Sequence, residues 1–105
     1  LPYISGDHHK HLTPVPEGKM ISRFYLRFTV SDRPGVLSGI SGILSRHGVS
    51  ISGVYQPERH FQEGPGVPIM LLTHGAPEGV MAKALREIAR KPYVRAKTVL
   101  LRIEE

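Results

Sequence analysis

The sequence contains no cysteine and no tryptophan, and only 7% of its residues are aromatic. Without cysteine there is no disulfide framework, no thiolate metal centre and no thiol nucleophile. No apolar run approaches the ~20 residues that a membrane-spanning helix needs, and Leu1 opens no recognisable signal peptide. Glycine loops for phosphate are missing as well. No Gly-x-Gly-x-x-Gly follows a strand pattern, so neither a dinucleotide site nor a hydride-transfer constellation can be assembled from these residues. No initiating Met is present, which suggests a piece of something longer, and the reading for compartment is cytoplasmic.

What remains is a chain of 105 residues, 40% hydrophobic and 22% charged, the composition of one globular domain. A net charge of +5 raises the question of nucleic acid, but the fourteen Lys and Arg residues are scattered over every predicted element. Only Arg90-Lys91 forms a pair, at a predicted helix end where the helix dipole favours cations. No nucleic-acid or membrane partner is expected.

Residues 1 to 22 combine Pro2, Gly6, Pro14, Pro16 and Gly18 with no sustained periodicity, and read as a linker or docking arm. His8, His9 and His11 lie within it, but in so flexible a context they have no fixed geometry and no evident fourth ligand, and no metal site is expected. Residues 23–105 form the folded domain. Arg23 to Ser31 alternates as a strand, with Phe24, Leu26, Phe28 and Val30 on one face. From Gly35 to His47, Val36, Leu37, Ile40, Ile43 and Leu44 follow helical spacing, and Gly48 supplies a left-handed terminator. Val49 to Gln56 reads as a second strand, and Pro68 to Thr73 as a central one. Ala76-Pro77-Glu78 starts a second helix whose core stripe is Met81, Ala84, Leu85 and Ile88, ended by Pro92. Val94 to Ile103 makes the last strand. The predicted order is βαββαβ, an α+β sandwich of the ferredoxin-like kind with two helices on one face of a four-stranded antiparallel sheet.

The junction Val30-Ser31-Asp32-Arg33-Pro34-Gly35-Val36-Leu37 closes a strand and opens a helix within a few residues. A helix start leaves backbone N-H groups without intrahelical partners, and with the dipole these favour a carboxylate or phosphate. Pro34 suits a first helical turn, Gly35 admits close approach to the main chain, and Asp32 either caps the helix or faces an ammonium group. The first predicted helix also carries a face of small residues, Ser38, Gly39, Ser41, Gly42 and Ser45, whose glycines each cost about 1 kcal/mol relative to alanine. Close approach of another backbone, from the second helix or a neighbouring subunit, would offset that cost.

These residues carry a family resemblance. The first strand, Asp32-Arg33-Pro34-Gly35-Val36-Leu37, the helix ending at Gly48 and Val49-Ser50-Ile51 resemble an ACT domain, the amino-acid-sensing regulatory module, over about residues 23 to 103. Val67-Pro68-Ile69-Met70-Leu71-Leu72-Thr73-His74 with Ala76-Pro77-Glu78 is similar to the C-terminal domain of the bacterial homoserine dehydrogenase family. The resemblance implies a parent oxidoreductase that reduces aspartate semialdehyde to homoserine with NAD(P)H on the route to threonine and methionine. It implies no catalytic residue and no cofactor in this fragment. It implies an amino-acid effector, threonine by expectation, bound at a subunit interface of a homodimer or higher homo-oligomer for feedback control of the catalytic domain. The effector residues would be Asp32, Arg33, Pro34, Gly35, Val36 and Leu37, with Ser50 and Gln56 carried over from the start and end of the second strand. Many effector-binding members have Asn where this chain has Ser50, which has a shorter reach and no amide.

Four rival readings stand beside this one. A domain that only oligomerises its parent without sensing anything shares every feature above, as does an ACT domain of another amino-acid-metabolism enzyme. RNA-binding domains share the βαββαβ order but stack bases on aromatics of the first and third strands, and Ile69 to Thr73 contains none. Catalysis by the fragment would have only His60, His74 and Glu63 as loose candidates.

Overall fold

The computed structural model describes residues 19–57, 64 and 66–103. The elements run β1 (Ile21–Val30), α1 (Val36–Arg46), β2 (Ile51–Tyr55), β3 (Val67–Thr73), β4 (Ala76–Pro77), α2 (Glu78–Ala89) and β5 (Val99–Ile103). The sheet is antiparallel, with β3 between β2 and β1, and with β4 and β5 both paired to β1. Apart from the two-residue β4, this is the predicted four-stranded order. Histidines 8, 9, 11 and 60, and Glu63, lie outside the described residues.

Alternation along β1 puts Phe24, Leu26, Phe28 and Val30 into the core, each at most 3% exposed. They form one cluster with Val36, Ile40, Ile43 and Leu44 of α1 and Met81, Ala84 and Ile88 of α2, so both helices cover the same face of the sheet. Thr73 is the one buried polar side chain among the described residues, and its Oγ1 accepts a hydrogen bond from the Phe24 N-H at 3.1 Å. That bond satisfies a backbone donor where the β1–β3 ladder ends.

Several boundaries differ from the sequence reading, β2 among them, which runs Ile51–Tyr55 rather than Val49 to Gln56. β1 starts at Ile21, because Ile21 and Ser22 pair with Pro77 and Ala76 of β4, so the linker reading of residues up to 22 overshoots by two. Helix α1 starts at Val36 with Gly35 as its N-cap, which places Pro34 outside it. Pro77 is likewise the extended N-cap of α2, not a residue of its first turn. The last strand is shorter than expected: Val94 makes only an isolated bridge to Val30, and regular pairing begins at Val99. Gly48, with φ of 80°, is the left-handed terminator that was expected after His47.

Polar contacts tie the layers at two corners. Glu78, in the first turn of α2, forms an ion pair with Arg102 of β5 at 2.7 Å and accepts a hydrogen bond from the Ser22 hydroxyl of β1 at 3.2 Å. At the other end of the helices Glu87 of α2 meets Arg46 at 2.7 Å and His47 at 2.9 Å, just past the end of α1. Hydrogen bonds from Arg46 and then His47 hold the Glu87 carboxyl down to about 2. Because that pKa is depressed, the stabilisation is complete above the ordinary carboxylate range near 4.5 and is lost as pH falls toward 2. The cluster is solvated, so salt screens it.

Two outcomes follow. Glu87→Gln flattens the fall of the urea midpoint between pH 4.5 and 2 relative to the parent chain, and 1 M salt narrows the difference between them. At Gly66, an added Cβ would collide with the Val30 carbonyl oxygen, a backbone atom that cannot swing aside. Gly66→Ala therefore costs about 1–3 kcal/mol in equilibrium unfolding, the usual range for overpacking.

Candidate functional site

Between the last ladder position of β1 and the first turn of α1 the chain makes a tight reversal, with the Arg33 N-H donating to the Ser31 carbonyl at 3.0 Å. Gly35 then adopts φ 90°, ψ −11°, a left-handed conformation strained for any side chain, and space around its Cβ position is open. Its value is thus conformational: it turns the backbone so that α1 can start at Val36. No side chain caps that start, and no acidic residue lies in the first turn. Gly35, not Asp32, occupies the N-cap position; the Asp32 side chain is exposed beside the junction. The opening N-H groups of α1 lack intrahelical partners, as at any helix start, and a carboxylate lies nearby.

The segment after α2 forms one wall of this junction. Ser31 N-H donates to the Tyr93 carbonyl and Arg95 N-H to the Thr29 carbonyl, both at 2.8 Å, so residues 93 to 95 continue the pairing along the end of β1. Tyr93 is absent from the sequence-based site, where only Pro92 before it is read, as the helix stop. Its ring crosses Gly39, where an added Cβ would lie 2.9 Å from the hydroxyl oxygen. That hydroxyl is buried without a hydrogen-bond partner, and burial chiefly, with the Glu87 charge, raises its pKa.

Gly39 is therefore small because the chain's own Tyr93 packs on it. This accounts within one molecule for part of the face that was assigned to a neighbour. Gly42 meets nothing within 4 Å, and with exposed Ser38 and Ser45 it forms the open remainder of that face; Ser41 is half-buried.

Six of the eight expected effector residues, Asp32 to Leu37, are contiguous and lie together at this end of the sheet. The other two do not join them within one molecule. Ser50 accepts from the His74 N-H at 2.9 Å, beyond the Thr73 end of β3, whereas Val30 pairs with Val67 at the opposite end. Phe24 to Val30 separates those ends by about 20 Å at strand rise. Gln56 follows β2 at the junction's end of the sheet, but β3 intervenes, about 10 Å sideways at two strand spacings.

Chemically, the junction presents donors for an anion and an acceptor for a cation. It does not suit a dinucleotide: the turn holds one glycine, and the Asp32 carboxylate would oppose a pyrophosphate. Among the described residues no group of three or more His, Asp or Glu side chains is placed to hold a metal ion. His74, considered for catalysis, is exposed just past the end of β3. No helix among the described residues is long and apolar enough to cross a membrane.

Comparison with known proteins agrees with the architecture. The ACT domain model matches residues 24–91. Homoserine dehydrogenase of Methylobacillus glycogenes is 37% identical over 92 residues, covering 87% of this chain and 22% of that protein. The Pseudomonas aeruginosa homoserine dehydrogenase is 34% identical over 84 residues, with 80% and 19% covered. This chain thus spans about a fifth of the length of such relatives. Among solved structures, a homoserine dehydrogenase from Thiobacillus denitrificans superposes with a TM-score of 0.76 at 30% identity, over 93% of this chain and 24% of that one. The regulatory subunit of aspartate kinase from Thermus flavus shares the fold, with a TM-score of 0.53 at 12% identity over 77% of this chain and 52% of that one. With the β1–α1 junction, the sheet order and a family match over most of the described residues all in agreement, the chain belongs to the ACT domain family, in the form found in homoserine dehydrogenases.

Proposed function

We propose that this chain is the amino-acid-sensing regulatory domain of a homoserine dehydrogenase, and that its effector is threonine. The observation that carries this reading is the uncapped start of α1 beside Asp32. An amino acid presents one carboxylate and one ammonium a few ångströms apart. The free N-H groups of Val36, Leu37 and Ser38 take the carboxylate and Asp32 takes the ammonium, both as charge-assisted hydrogen bonds. The separation of Ser50 from this junction means that it reaches the effector only from a second copy. The open face of Ser38, Gly42 and Ser45 is where that copy approaches, making the site one shared by a homodimer or larger homo-oligomer.

In this reading the parent enzyme is cytoplasmic and reduces aspartate semialdehyde with NAD(P)H in a catalytic part outside these 105 residues. Threonine, an end product of the route, restrains it by binding one arrangement of the domains better than another. The competing role is a scaffold that only holds subunits together.

Calorimetric titration of the chain with threonine separates the two. Sensing predicts saturable heat that Asp32→Ala weakens by about 10- to 100-fold in affinity, the loss of one charge-assisted bond. No heat with the parent chain, or equal affinity in the variant, contradicts it.

A further inference from the structure

The face of the sheet away from the helices is largely apolar, and nothing among the described residues covers it. Register places Tyr55, Met70, Arg27 and Val99 in one row across the four long strands, and Gly53, Leu72, Tyr25 and Leu101 in the next. Tyr55, Leu101, Val99 and Leu72 are 60%, 55%, 42% and 39% exposed. One-sided antiparallel sheets ordinarily present polar residues to water. Here, apolar residues on both faces mark the sheet as the middle layer of something thicker.

Two further features limit what the outer layer is. Gly53 has no side chain, so Tyr25, Tyr55, Met70 and Leu72 surround a hollow of about 320 Å³, shaped for a projecting apolar side chain. The charged side chains on this face are Arg23 and Arg27 of β1, with no carboxylate among its described residues. Arg23 donates to the Thr73 carbonyl, while Arg27 is exposed and has no ion-pair partner among the described residues. Stacking two copies face to face would crowd like charges between two apolar layers, which is costly in a dry interface.

The available area points the same way. Four strands at ~4.8 Å spacing and about seven residues of rise give roughly 450 Å² of projected face, or about 900 Å² over both sides. That falls within the ~600–1,500 Å² of contacts between domains of one chain. It falls short of the ~1,200–2,000 Å² of an independent, stable association. The relatives carry about four-fifths of their length outside the region this chain matches, which supplies a large covalently linked partner.

We propose that this sheet face docks on the remainder of the parent polypeptide, against an apolar surface that fills the Gly53 hollow and brings a carboxylate to Arg27. The proposal rests on the reading of this chain as one domain of a larger enzyme, but it does not depend on threonine binding. Docking here joins the regulatory domain to its target by the face opposite α1, so that the effector junction stays open.

The natural lack of cysteine makes the test direct. Leu72→Cys on the outer face and Lys83→Cys on exposed α2 are each made in the 105-residue chain and in the full parent polypeptide. Alkylation of the labelled peptide is followed by mass spectrometry. Docking predicts that Leu72→Cys reacts at least tenfold more slowly in the full polypeptide than in the short chain, whereas Lys83→Cys reacts equally in both. Adding Arg27→Glu to the full polypeptide restores the fast rate. Equal rates for Leu72→Cys in both contexts overturn the proposal. So does protection that develops in the short chain as its concentration rises, which means that a second copy covers the face, or protection that Arg27→Glu leaves intact, which means that no carboxylate meets Arg27. A failure of threonine to bind would leave these rates unchanged and would count only against the sensing role.

Discussion

Commitment of β1 on both edges and on one face is the constraint from which the rest of the structure follows. It pairs with β3, β4 and β5, and its inward residues Phe24, Leu26, Phe28 and Val30 are sealed beneath both helices. Each of those side chains contributes about 1.5–3 kcal/mol by burial. A strand so fixed cannot slip, because a shift of one residue would turn Tyr25, Arg27 and Thr29 into the core. Where β1 stops is therefore where the turn must be made, and Gly35 makes it in a left-handed conformation. The uncapped amides of α1 owe their position to the packing behind them.

Much of this was legible in the residues. Alternation from Arg23 to Ser31, helical spacing from Val36 to Leu44, and Gly48 after His47 each state a local preference that tertiary packing also satisfies. The misread boundaries share a cause, since each depends on a partner distant in sequence. Ile21 and Ser22 are strand residues only because Ala76-Pro77 lies beside them. Residues 95 to 98 look like strand but give up the ladder before Val99, because Ser31 and Thr29 take their backbone bonds with Tyr93 and Arg95. The contact of Tyr93 with Gly39 spans 54 positions and leaves no periodic trace, so the glycine read as an open face for a neighbour. In β5, Val99 and Leu101 alternate with Leu100 and Arg102 without declaring which pair faces the helices. The pairing of Leu26 with Leu100 and of Phe24 with Arg102 decides it.

The candidate site was legible as a stretch and not as a pocket. Asp32 to Leu37 are neighbours in the chain, so their closeness needed no fold. Ser50 and Gln56 entered by family resemblance, and the sheet places Ser50 at the far end from the junction. In the proposed reading a single copy holds part of an amino-acid receptor, which a second copy completes. This geometry suits control: a ligand that completes its contacts in one arrangement of subunits and not in another shifts the balance by the difference between its two affinities. If the sheet face docks on the parent polypeptide as proposed, such a shift has a route to the catalytic part that does not pass through the ligand.

Backbone amide NMR of the isotope-labelled chain, titrated with threonine, tests the central claim at the atoms that carry it. The amides of Val36, Leu37 and Ser38 should move downfield and saturate together, with smaller changes at Asp32 and Gly35. Saturable shifts confined to the outer sheet face around Gly53 and Leu72, or spectra unmoved at millimolar threonine, would contradict an effector site at the opening of α1.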